Sequence, residues 1–168
     1  LLLFIPFVGL GQVDIDFSSE IAVKDYFVKN GTEGIEGLYM YGDALKYLSR
    51  GKELKAFLES DVSWESPTKL CIIKNGYNYS GILIDDKYYN SNISIDNPHF
   101  ILEPTSVSGE YFWLGNVKNM INEKAIKITY SKNSLKGVII ETSTVNWAGD
   151  LYFKIQLLKL FPKSDSNV

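Results

Sequence analysis

Residues Lys69–Ile84 read KLCIIKNGYNYSGILI, two runs of β-forming residues on either side of Asn75-Gly76. An Asn-Gly pair between such runs is a strong short-range hairpin signal, because the tight turn requires positive φ. A hairpin commits its strands to antiparallel pairing, and comparable runs recur along the chain. Ile35–Tyr41, Pro98–Leu102, Glu110–Leu114, Lys124–Tyr130, Leu135–Glu141 and Leu151–Phe161 are short segments rich in β-branched and aromatic residues. Asp85-Asp86, Thr105-Ser106 and Asn133 mark turns between them, and Gly81 reads as a bulge. Tyr88–Ile95 is polar and reads as an edge strand or a loop.

Helical spacing is confined to two places. Leu45, Leu48, Leu54, Phe57 and Leu58 follow a helix-like rhythm behind Asp43 as N-cap, interrupted by Gly51 and ended by Ser66-Pro67-Thr68. This predicts a helical insertion near residues 43–59. Ile21, Tyr26 and Phe27 give a weak stripe behind Ser18/Ser19 and Glu20, stopped at Asn30-Gly31. A helix is expected there, with a short strand and loop as the alternative. The fold class expected is mostly β: an antiparallel meander barrel, or a sandwich, of about eight strands. A closed barrel would remove its own sheet edges.

Leu1–Gln12 carries no charge, and Leu1–Leu10 (LLLFIPFVGL) is apolar. Ten residues fall short of the roughly 20 that span a bilayer, and no later run reaches that length. The segment matches the apolar region of a secretory signal peptide, with Gly9 and Gly11 as the small residues before cleavage. The expected organisation is a signal remnant at 1–11, an N-terminal segment at 12–34, one β domain at 35–162 and a tail at 163–168. The mature domain is expected to be exported, periplasmic or extracellular, without a membrane span. A buried N-terminal strand is the alternative for the first segment.

Composition narrows the function classes. With 17 basic and 20 acidic residues the net charge is −3, which speaks against a nucleic-acid binder. Arg50 is the only arginine. A single Cys excludes an intrachain disulfide and a cysteine-based zinc site.

Three short motifs carry a resemblance. Ile35-Glu36-Gly37-Leu38-Tyr39 comes first, Lys69–Lys74 (KLCIIK) follows, and Leu157–Pro162 (LLKLFP) closes the segment. This order resembles a β domain of secreted Bacteroidetes proteins built on IEGIY/W, YKLAIIK and IKLYP strands. Tyr111–Gly115 (YFWLG) is similar to that family's WYMG strand. The family's Trp-x-x-Gly is replaced by Tyr88-Tyr89, and the insertion after Tyr41 is a departure. The domain occurs alone or beside a trypsin-like protease domain; the latter is not in this sequence, so no protease activity is carried over. Gly37-x-Tyr39 also resembles a relaxed form of the Gly-x-Trp signature of lipocalins and related calycin barrels. That likeness implies that Gly37 permits close packing where a barrel closes, while Tyr39 plugs its base.

No catalytic set emerges. His99 is the sole histidine, follows Pro98, and has no G-x-S-x-G elbow to serve, so it reads as a turn histidine. Cys71 sits between Leu70 and Ile72 and reads as a core residue. Asp14/Asp16 and Asp85/Asp86 do not continue into a calcium loop, and no metal or other cofactor is implied. Glu36, Glu103, Glu110 and Glu141 could supply a glycosidase pair only if two of them converged. Tyr77, Tyr79, Tyr88, Tyr89 and Trp113 are the candidate binding residues. Aromatics near hairpin tips can form a platform for sugar rings or a partner protein. Trp113 and Trp147 read as core in preference to platform. Three functions follow: a non-enzymatic exported binding or accessory domain, a lipocalin-like carrier of a small apolar ligand, and a carboxylate-based hydrolase. The partners they imply are a small apolar ligand, a glycan or a protein.

Overall fold

The computed structural model describes residues 17, 19–48, 54–60, 62–84, 94–115, 126–141 and 150–163. Eight strands form one closed antiparallel barrel in chain order: β1 (Gly37–Leu48), β2 (Ser63–Asn75), β3 (Asn78–Leu83), β4 (Phe100–Pro104), β5 (Glu110–Gly115), β6 (Ile126–Ser131), β7 (Ser134–Glu141) and β8 (Asp150–Phe161). Two helices join them, α1 (Glu20–Asn30) before β1 and α2 (Leu54–Glu59) between β1 and β2. The barrel closes by pairing β1 with β8 from Leu38↔Phe161 to Leu48↔Asp150. The meander barrel read from the strand rhythm is the observed architecture.

Alternation along each strand sorts the side chains into two cores. Tyr39, Leu70, Ile72, Phe100, Leu102, Trp113, Ile128, Leu135, Ile155 and Leu157 point inward and pack together. The opposite parity of β1–β3, with Leu38, Cys71, Ile73, Ile82 and Ile84, packs against Val23 and Phe27 of α1. Burying each such side chain contributes roughly 1.5–3 kcal/mol, which is what holds a helix of such weak amphipathicity in place. The helix starts where expected: the Ser19 Oγ accepts from the Ala22 N–H at 3.2 Å, and Glu20 bridges Lys24 at 2.6 Å and Lys69 of β2 at 2.5 Å. It ends at Gly31, whose N–H reaches the Phe27 carbonyl and whose φ is 78°.

Two expectations shift. Asp43–Leu48 continue β1 rather than starting a helix, because they pair with Ile155–Asp150 of β8. A long ladder overrides a helix-like spacing of leucines. The helical insertion is therefore short, Leu54–Glu59. Its Phe57 meets Tyr152 on the outer face of β8. The Lys154 amine donates to the Phe57 carbonyl at 2.9 Å and also to the Ser60 carbonyl and hydroxyl, capping the end of α2. Pro67 lies within β2, where the β1–β2 register shifts between Tyr41↔Thr68 and Asp43↔Ser63. An irregularity of this kind tolerates a missing N–H.

The connections divide by length between the two ends of the barrel. At one end are the β2–β3 turn Gly76-Tyr77, the β4–β5 turn 105–109 and the β6–β7 turn Lys132-Asn133. The entry into β1 and the end of β8 are there too. Longer connections, 49–62, 84–99, 116–125 and 142–149, join the strands at the other end. Gly76 has φ 62° while Tyr77 does not have positive φ, the pattern of a II′ turn. Thus the loop is one residue later than Asn75-Gly76, and Tyr77 occupies its tip. Lys132 and Asn133, at φ 47° and 63°, match a I′ turn.

Candidate functional site

The short-turn end of the barrel is closed by a cluster of tyrosines around one lysine. Tyr39 (β1), Tyr79 (β3), Tyr111 (β5), Tyr130 (β6) and Lys159 (β8) occupy inward positions near that end of their strands. Tyr39 is fully buried and donates its hydroxyl hydrogen to the Ile35 carbonyl at 2.6 Å. Tyr79 and Tyr111 meet edge to face, with centroids 5.8 Å apart. The Tyr130 hydroxyl interacts with that of Tyr39 and lies 3.4 Å from the Asn133 Oδ1. The Lys159 Nζ stands 5.9 Å from the ring centroids of both Tyr39 and Tyr130.

Gly37 of the Ile35–Tyr39 motif makes this arrangement possible. Gly37 has φ 150°, and a Cβ there would fall 2.4 Å from the Phe161 carbonyl oxygen and 2.6 Å from the Lys159 Cε. The lysine stem thus crosses where a side chain would be. Glu36 fastens the entry from outside: its carboxylate accepts the Lys74 N–H at 2.7 Å and the Glu33 N–H at 2.8 Å. Gly37 and Tyr39 lie at the β1–β8 seam, where the ladder register shifts between Leu38 and Tyr39.

Burial shapes the electrostatics. It raises the hydroxyl pKa of Tyr39 strongly, and those of Tyr79, Tyr111 and Tyr130 less. It lowers that of the Lys159 ammonium, which the Glu36 carboxylate partly offsets. The folded state therefore binds the Lys159 proton less tightly than the unfolded chain does. Stability rises with pH from the depressed Lys159 midpoint toward the ordinary lysine value of about 10.4. The buried tyrosines act oppositely above about pH 10, because the folded state keeps their protons longer. Urea midpoints measured from pH 7 upward should peak near pH 10. Lys159→Met should flatten the rise and keep the fall; an unchanged rise would assign it to other groups.

The candidate residues separate. Tyr77 projects from the turn at 76% exposure. Tyr79 is buried at the same end of the barrel, within the inner cluster. Trp113 is inside the barrel, stacked on Phe100 at 3.6 Å, and its indole N–H has no hydrogen-bond partner among the described residues. Tyr88, Tyr89, Trp147, Arg50 and the aspartates at 14, 16, 85 and 86 lie outside the described residues. The His99 Nδ1 accepts the Leu83 N–H at 3.1 Å, extending the β3–β4 seam beyond Gly81↔Phe100. Burial pushes the Cys71 thiol well above its ordinary pKa, which leaves it unreactive. Glu110 bridges Lys127 at 2.6 Å, Glu36 is taken by backbone N–H groups, and Glu103 lies on β4. Among the described residues, no cluster suits a metal ion and no helix is long and apolar enough to cross a membrane.

Lys159 and Tyr130 belong to no functional motif in the sequence, although the strand pattern holds a signal for the lysine. Ile155, Leu157 and Lys159 share one face, so a lysine ends an inward stripe. No family model, curated protein or solved structure matches this chain.

Proposed function

We propose that the chain is an exported, non-enzymatic binding domain that recognises a glycan at the short-turn end of its barrel. The observation that carries this reading is the contrast between interior and end. Ile72, Leu102, Ile128, Leu135, Ile155 and Leu157 come from five strands, and all are fully buried. Side chains packed this way leave no room in their layers for the roughly 300 Å³ or more that a carried ligand needs. The short-turn end is the place for recognition, where Tyr77 offers an exposed ring on the same end as the tyrosine-closed base. Tyrosine presents a rigid apolar face with a polar edge, suited to a sugar ring. The charge-free run Leu1–Gln12 and the resemblance to secreted Bacteroidetes domains support export.

Neutral oligosaccharides titrated against the protein should shift the Tyr77 ring resonances saturably. Tyr77→Ala should abolish binding while changing stability by no more than about 0.5 kcal/mol, as is usual for an exposed side chain. Binding that survives Tyr77→Ala would place recognition elsewhere.

A further inference from the structure

The fold treats the two lysines buried among the described residues differently. Lys154, at 7% exposure, donates to two carbonyls and a hydroxyl around the end of α2. Lys159, at 5% exposure, faces the rings of Tyr39 and Tyr130 and has no ion pair or hydrogen bond from its amine among the described residues. Surface lysines are better supplied: Lys24, Lys69, Lys74 and Lys127 each meet a carboxylate. Cation–π contacts compensate only part of the cost of burying an ammonium group. Glu36 is the nearest acidic influence on Lys159, but both its oxygens are held by the Lys74 and Glu33 N–H groups.

Two tyrosine rings face this amine, and their cluster extends to Tyr79 and Tyr111. The Tyr39 hydrogen is committed to the Ile35 carbonyl, whereas the Tyr79 and Tyr111 hydroxyls have no hydrogen-bond partner among the described residues. Tyr111 and Tyr130 are only partly buried, so their end of the cluster reaches solvent. A cation without a direct ion pair, in a cluster that also holds hydroxyl donors, is the donor set that a carboxylate accepts from.

We propose that Lys159 and the tyrosines around it form a binding site for a carboxylate, such as that of an acidic sugar. This inference rests on the glycan reading above and sharpens it from sugars in general to acidic ones. The bound carboxylate supplies the direct ion pair that Lys159 lacks among the described residues, and Tyr111 donates to its second oxygen. Tyr77, on the same end, would face the remainder of the sugar.

The test follows the Lys159 Cε and tyrosine ring resonances of the full chain at constant ionic strength. The probes are sodium acetate, sodium glucuronate, glucose and sodium chloride. A carboxylate site predicts a saturable shift with Kd of about 1 mM or tighter for at least one carboxylate. It also predicts a Lys159 titration midpoint raised by about one pH unit when the site is filled, because an opposite charge favours the ammonium form. Lys159→Met should remove the response of Tyr111 and Tyr130. A response to glucuronate alone identifies a sugar acid as the source, and an equal response to acetate identifies a simple carboxylate. No saturable shift, or an equal one with chloride, overturns the proposal. Since the wild-type resonances carry the result, it stands even if the variant folds poorly. Tyr77 responding to neutral sugars while Lys159 stays silent would leave the glycan reading intact and sink this one. The converse would sink the Tyr77 platform alone.

Discussion

Gly81→Ala is expected to destabilise the barrel by about 3 kcal/mol or more, a large share of the 5–15 kcal/mol that holds a typical domain folded. A Cβ on Gly81 would lie 2.0–2.3 Å from three atoms of the Phe100 ring. That ring cannot simply retreat, because its face is stacked on Trp113 at 3.6 Å, 16° from parallel. Phe100→Ala should itself cost about 3–5 kcal/mol by leaving a cavity. Together the two changes should cost less than their sum, since the shortened residue opens the slot that the new methyl enters. Gly115 gives the contrast. A Cβ there would approach the Phe100 Cα and the His99 carbonyl oxygen at 2.8 Å, which are backbone atoms. Gly115→Ala should therefore remain destabilising in the Phe100→Ala background. Urea unfolding of the five variants reads all of this out, and additivity of Gly81→Ala with Phe100→Ala would refute the slot.

The same pair shows how far local reading reaches. The hairpin of β2 and β3 is legible from Lys69–Ile84, because alternation and turn chemistry act over a few residues. Gly81 reads from sequence as a bulge, but in the barrel it is in regular register, opposite Ile72 and Phe100. Its purpose is cross-strand room, and that depends on a partner about twenty residues away. The β1–β8 ladder was hidden for a similar reason: Asp43–Leu48 carry leucines at helical spacing, and only pairing with β8 makes them a strand. The α1 caps, Ser19 and Gly31, were legible because capping is local. Lys159 is not legible from sequence, because a lysine near a strand end is ordinarily solvated. What makes it unusual is Gly37 on a neighbouring strand, across whose α-carbon its stem passes.

Gly37→Ala is expected to be among the most damaging single methyl additions to this chain, costing about 3 kcal/mol or more. Two effects combine. At φ 150° an L side chain is strained whatever the space around it, and the new Cβ would sit 2.4 Å from the Phe161 carbonyl oxygen. The obstacle is backbone of the closing strand, so relief requires β1 and β8 to part at the short-turn end. Gly31→Ala and Gly76→Ala separate strain from collision, because those glycines have φ 78° and 62° with nothing within 4 Å. Each should cost only about 1 kcal/mol. Hydrogen exchange gives the location: in Gly37→Ala, amides at the start of β1 and the end of β8 should lose protection first. Those of β5 and β6 should stay protected to the point of global unfolding. Parting the seam there also moves the Lys159 stem off Gly37 and loosens the tyrosine base. The same variant should therefore lose the Lys159 response to carboxylate under conditions where most molecules remain folded. Exchange that rises uniformly, or a loss of stability no greater than in Gly31→Ala, would show that the motif does not close the barrel.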